Sequence, residues 1–212
     1  MTSWRLGIAS GLAAVAAVLL VRASGDSAAA HTWHALRAAG FVTYLLFWVS
    51  CLSGMAFYLR IAVPRVRASA LFELHRVTGV LAAAFLASHL VGVLVDPWIH
   101  FRLIDILAGA TASYRPFALF LGAAGAWAVA IVVATTAFSG RFRYATWLNL
   151  HRLAFPGYVV ALFHGLLAGS DSANPLVLAM YGLTAGAVAG LGVLRLAGRE
   201  RPVPAAVSVP GR

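Results

Sequence analysis

A chain of 212 residues that is 62% hydrophobic and only 10% charged, with a mean hydropathy of +0.88, is not an ordinary soluble domain, in which nearly a quarter of residues are charged. The formal net charge of +10 would suggest nucleic acid in a soluble protein, but the 16 basic residues are all arginines clustered between apolar runs, so topology explains them and no nucleic-acid partner is expected. The single cysteine, Cys51, lies within an apolar run, which excludes a disulfide scaffold or a thiolate metal site.

In chain order, six stretches have the length and apolarity of membrane spans: about 6–21, 38–59, 74–95, 117–138, 150–169 and 175–197. The predicted fold class is all-α, an integral membrane six-helix bundle, multi-pass in the cell (plasma) membrane. Arg5 ahead of the first stretch, and the small residues Ala28, Ala29 and Ala30 after it, leave a cleaved leader as the alternative for that span. If the N-terminus is cytoplasmic, twelve arginines fall on the inner side, and only Arg22, Arg37, Arg102 and Arg115 fall outside. The positive-inside bias therefore predicts that both termini are cytoplasmic. The longest outer connection, 96–116, carries Pro97, Trp98, His100, Phe101 and Tyr114, aromatics suited to a segment lying on the membrane surface. Residues 1–198 read as one membrane domain, with no Gly-rich phosphate loop, and the proline-bearing stretch 199–212 reads as a disordered cytoplasmic tail.

The chemistry resides in histidines. His75 and His89 lie 14 residues apart on the third stretch, and His151 and His164 lie 13 apart on the fifth. Each spacing covers roughly 20 Å of helix, most of the hydrocarbon thickness. Both stretches run outward from an inner loop, so the histidines pair by depth: His75 with His151 near the cytoplasm, His89 with His164 near the outer face. Two imidazoles at each level are the axial ligands of a haem iron, and two haems stacked this way make a path for electrons. Ionisable groups within a membrane are costly and tend to be functional. His31, His34 and His100 fall in outer loops or at their edges and are not expected to be ligands.

Leu74-His75-Arg76 recurs as Leu150-His151-Arg152, placing an arginine beside each inner histidine, where it either neutralises a haem propionate or simply follows the positive-inside rule. Gly79 and Gly157 follow within about a turn, where a small residue would let a flat macrocycle approach the backbone. Fourteen helical steps bring His89 to within roughly 40° of His75, but thirteen leave His164 roughly 140° from His151 on a straight helix. Pro156 offers a kink or altered winding between them. The alternative function is a transporter of metal ions or protons. Against it, the spacings separate the histidines too far for one metal site, and no Asp or Glu lies within a span.

These residues resemble the ferric-reductase-like transmembrane domain family, which includes NADPH oxidases, ferric reductases and the haem-binding subunit of the bacterial periplasmic methionine-sulfoxide reductase system. The resemblance covers about 38–197 and rests on Leu74-His75-Arg76 with His89 and Leu150-His151-Arg152 with His164, since members with two b-type haems use this 14-then-13 spacing. In size the chain is closest to the sulfoxide-reductase partner subunit. The resemblance implies two b-type haems with His75, His89, His151 and His164 as axial ligands, assisted by Arg76 and Arg152. It also implies an electron-transfer subunit of an oxidoreductase without a reductase domain of its own. The expected donor is a flavoprotein reductase or membrane quinol, with a flavin or quinone at the donor or acceptor side. The expected acceptor is an extracytoplasmic redox protein, ferric iron or oxygen.

Overall fold

A computed structural model describes residues 28–199 together with Ala9, 11–13 and 15–16. Among these residues the fold is all-helical, a bundle with five helical segments long and apolar enough to cross a membrane. The architecture is that of a multi-pass membrane protein. Of the first expected span, 6–21, only residues 9, 11–13 and 15–16 are described, and of the expected tail, 199–212, only Arg199.

Helix α1 runs Ala28–Tyr58, α2 Ala68–Leu94, a short α3 Leu103–Ala108, and α4 Pro116–Ala137. After a single 3₁₀ turn at Ser139–Arg141 come α5, Tyr144–His151, α6, Ala154–Ala168, and α7, Pro175–Arg199. Prolines open α4 and α7, where a missing N–H costs nothing. The Asn174 side chain accepts from the Leu176 N–H at 2.9 Å, capping the start of α7.

Three boundaries differ from the sequence expectation, the fifth segment starting at Tyr144 rather than 150. Helix α1 starts ten residues before the expected 38, because the alanine-rich segment through Leu36, Arg37 and Ala38 continues the helix beyond the apolar run. Helix α2 starts at Ala68, so His75 stands about two turns inside it rather than at its beginning.

The fifth expected span is one membrane-length segment, Tyr144–Ala168, broken between α5 and α6 at Arg152–Leu153. Proline at position 156 has no N–H to offer the Arg152 carbonyl four residues back, and its ring crowds that oxygen. The chain responds by tightening, with Leu153 N–H donating to Leu150 O at 3.0 Å and Phe155 N–H to Arg152 O at 3.1 Å. The disruption expected near Pro156 thus falls one turn earlier, immediately after His151.

Helices α1 and α2 pack as a hairpin, as do α4 and the α5–α6 segment, and α7 lies against α1 and α6. The hairpins meet in a buried cluster of Tyr44, Phe47 and Cys51 from α1, Ala82 from α2, Tyr158 and Leu162 from α6, and Tyr181 from α7. Tyr44 and Tyr158 stack with ring centroids 5.6 Å apart. The Tyr44 hydroxyl lies 2.8 Å from that of Tyr158 and 2.5 Å from Thr184 Oγ1. Thr184 in turn donates to the Met180 carbonyl at 2.8 Å. In hydrocarbon an unpaired hydroxyl is costly, so this chain of bonds is what allows tyrosine at the centre of the bundle. The opposite faces carry exposed apolar side chains such as Leu45, Phe120, Trp127, Phe163 and Leu183, as lipid contact requires.

Candidate functional site

Helix α1 is antiparallel to α2, and α4 to α5–α6. Each hairpin therefore presents one histidine-bearing strand of the bundle against one acceptor-bearing strand. His75 and His151 face each other with ring centroids 5.7 Å apart and planes at 75°. His89 and His164 do the same at 6.4 Å and 75°. The pairing by depth is present in the geometry, and the break at Arg152–Leu153 lies between the two residues whose 13-residue spacing conflicted with a straight helix.

Each ring is held through Nδ1. The His89 Nδ1–H donates to the Leu36 carbonyl at 2.8 Å, and the His164 Nδ1–H to the Ala118 carbonyl at 2.8 Å. The His75 Nδ1–H donates to the Ser50 carbonyl at 2.9 Å, with Ser50 Oγ at 3.1 Å. His151 Nδ1 has only Thr136 Oγ1, at 3.4 Å. A ring that donates from Nδ1 to a carbonyl keeps its lone pair on Nε2, the nitrogen then available to a metal. Such a bond also fixes the ring's orientation and raises its basicity as a ligand.

Glycine makes these bonds possible. In a helix the carbonyl of residue i already accepts from the N–H of residue i+4, whose side chain overhangs the oxygen. Four residues after Leu36, Ser50 and Ala118 stand Gly40, Gly54 and Gly122. A Cβ added at these glycines would stand 3.1 Å from Nδ1 of His89, 2.7 Å from that of His75 and 2.6 Å from that of His164. Only glycine leaves room for an imidazole to reach a carbonyl on the neighbouring helix.

The sequence reading did not assign these positions. A signal was present, since Gly40 and Gly54 are 14 residues apart, as are His75 and His89. Gly79 and Gly157 both stand at helix contacts. A Cβ at Gly79 would meet Ser50 Oγ at 3.2 Å, and one at Gly157 would meet Ala128 Cβ at 2.9 Å.

Arg76 and Arg152 are tied to neighbours on their own helices. Arg76 Nη2 donates to Glu73 at 3.0 Å, and Arg152 Nη1 to Asn149 Oδ1 at 3.1 Å. His34 and His100 are exposed and join neither pair.

A cavity with about 1370 Å³ of empty space, its open mouth included, reaches from the outer pair to the aromatic cluster. His89, His164, Gly40, Gly122, Phe41 and Phe47 line it, and Arg37 and Asp171, joined as an ion pair, stand at the mouth. At the inner pair, Trp147 stacks on His151 with centroids 5.1 Å apart and planes at 26°. Its buried indole N–H has no hydrogen-bond partner.

These features fit a tetrapyrrole with a central metal. Two imidazole nitrogens each about 2 Å from one metal ion would put their ring centroids roughly 6 Å apart, close to both observed separations. A tetrahedral metal site takes four protein ligands, whereas a porphyrin brings four nitrogens and asks only for two axial ones. Oxygen acceptors on a group bound beside His151 would also satisfy the Trp147 N–H.

The 96–116 link is anchored by Asp105, buried in the short helix α3. Its carboxylate accepts from Arg102 Nε at 3.1 Å and Nη2 at 3.0 Å, from Thr111 Oγ1 at 2.7 Å and from the Arg102 backbone N–H at 3.0 Å. The Arg102 guanidinium first, then the Thr111 hydroxyl, hold this carboxyl well below the usual carboxylate range. The anchor is therefore complete above the unfolded carboxyl's range, about 4, and is lost as pH falls through the lower folded value. Amide protection factors in 102–112, corrected for the intrinsic pH dependence of exchange, should stay high down to about pH 4 and fall below it. In Asp105→Asn the same amides should exchange faster at neutral pH and lose most of that acid dependence.

Comparison of the chain with protein-family models, with characterised proteins and with solved structures finds no match.

Proposed function

We propose that this chain carries electrons across a membrane through two b-type haems, one held by His75 and His151 and the other by His89 and His164. The observation that supports this reading most directly is the pair of facing imidazole couples at two depths, with His75, His89 and His164 each donating from Nδ1 to a carbonyl and so leaving Nε2 for a metal. When bound, the haem iron supplies the one-electron chemistry that no side chain here can supply.

The chain's own residues do the rest. Leu36, Ser50 and Ala118 fix three imidazoles through their carbonyls, and the glycines beyond them give the rings access. Tyr44, Phe47 and Tyr158 fill the bundle between the two levels and exclude water there. Arg76 and Arg152 near the inner pair, and Arg37 at the outer cavity, are the cations placed to offset acidic substituents of a bound macrocycle.

The topology proposed with this function has six spans, 6–21 being the first, and both termini cytoplasmic, as the arginine distribution favours. The donor is a flavoprotein reductase or membrane quinol on the cytoplasmic side. The acceptor is an extracytoplasmic redox protein, ferric iron or oxygen near the 96–116 link. The family proposed is the ferric-reductase-like one, on the residues quoted above.

A reduced-minus-oxidised spectrum of the purified full chain tests the reading. Sharp low-spin b-type bands at two haems per chain are expected. A folded protein that stays colourless when expressed with ample haem would overturn it and favour a histidine-based ion or proton pathway.

A further inference from the structure

The acceptor positions repeat as the histidines do. Leu36 and Ser50 lie 14 residues apart on α1, and the matching pair on α4 is Ala118 and Val132. Each of the first three is followed four residues later by glycine, but the fourth is followed by Thr136. There the Thr135 hydroxyl donates to the Ile131 carbonyl at 2.7 Å and lies 3.2 Å from that of Val132. His151 is the one ring of four that bonds to a hydroxyl rather than a carbonyl, and its distance of 3.4 Å is the longest of the set. What fixes its plane instead is the stacked Trp147 ring.

We infer that Thr136 is the positioning residue that sets the inner haem apart from the outer one, by giving His151 a weak hydroxyl partner where the other three ligands have a carbonyl beside glycine. This rests on the haem reading above. The direction of the effect follows from ligand basicity. A strong Nδ1–H bond to a carbonyl pushes electron density onto the ring, favours ferric iron and lowers the midpoint potential; a weak bond does so less. The outer site has two such bonds at 2.8 Å. The inner site has one at 2.9 Å and the long contact at Thr136.

The test is spectroelectrochemistry of the haem-loaded full chain in detergent, comparing wild type with Thr136→Val, Thr136→Gly and Thr136→Ser. Thr136 is exposed and one residue from the end of α4, so none of these disturbs the core. Valine removes the only partner of the His151 Nδ1–H and is expected to raise the inner midpoint. Glycine opens the Val132 carbonyl, as Gly122 opens that of Ala118, and is expected to lower it. The full range between them should be on the order of a tenfold change in the ferric-to-ferrous ratio at fixed potential, about 59 mV for one electron. Serine should behave as wild type, and the outer midpoint should not move in any variant.

Opposite shifts confined to one haem would establish the role, because a residue that merely packs would shift both variants the same way or neither. Two haems whose midpoints do not move, or move together in valine and glycine, would overturn it while leaving the haem reading intact. Absence of haem from the wild type would overturn the haem reading instead.

Discussion

Replacing His89 with alanine is expected, on the proposed two-haem reading, to remove one haem of two, halving the haem-to-protein ratio while the site at His75 and His151 keeps its low-spin spectrum. The reason is that each site is closed by one imidazole from each hairpin, so a single loss leaves one axial ligand in a cavity too open to hold the group. His164→Ala should give the same spectrum as His89→Ala, and the double variant should be no worse than either, since both remove the same site. His75→Ala should remove the other haem and leave the outer one. The pairing by depth predicts this grouping of 89 with 164 and of 75 with 151. Retention of both haems in His89→Ala, or loss of both, would refute the assignment of His89 and His164 to one separate site.

Gly122→Ala should do nearly as much without touching a ligand. Its added Cβ would stand 2.6 Å from Nδ1 and 2.7 Å from Cε1 of His164, inside any allowed contact. The imidazole must then leave the Ala118 carbonyl, losing the bond that directs Nε2 into the cavity. Loss of the hydrogen-bond partner behind a metal-binding imidazole typically costs about 10–100-fold in affinity, and here the ring is also displaced. Gly54→Ala, at 2.7 Å from His75 Nδ1, should weaken the inner site in the same way, whereas Gly40→Ala, at 3.1 Å from His89 Nδ1, should be milder. Gly186 provides the control, since a Cβ there meets nothing within 4 Å and alanine favours helix. If Gly122→Ala binds haem as wild type does while Gly186→Ala folds normally, the glycine–carbonyl device is not what holds His164.

Much of this arrangement could be read from residue order alone, and the remainder could not for identifiable reasons. The histidines were legible because an imidazole in an apolar run is conspicuous and its spacing converts directly into depth. The interruption after His151 was half legible. Pro156 announced a disturbance, but the affected carbonyl lies four residues earlier, so the break falls at Arg152–Leu153. The extension of α1 back to Ala28 was hidden because His31, His34 and Arg37 look like loop residues, although a helix that leaves the hydrocarbon need not stop there. The carbonyl acceptors were not legible at all, since every residue has a carbonyl and only packing selects Leu36, Ser50 and Ala118. Gly40, Gly54 and Gly122 were hidden differently: glycine is common in membrane helices, and its meaning emerges only when it lies against a particular ring.

The two hairpins, α1 with α2 and α4 with α5–α6, contribute one histidine each to both pairs, and the Tyr44–Tyr158 cluster packs between them. A group ligated from both sides is therefore a rivet between halves of the bundle, one on either side of the tyrosine seam. Ligand that binds only the assembled form stabilises it by mass action. On the haem reading, cofactor supply would then influence how much of this protein survives in the membrane, since chains made in haem shortage would lack both rivets and rely on the Tyr44–Tyr158 cluster, the Arg37–Asp171 ion pair and the packing of α7 against both hairpins.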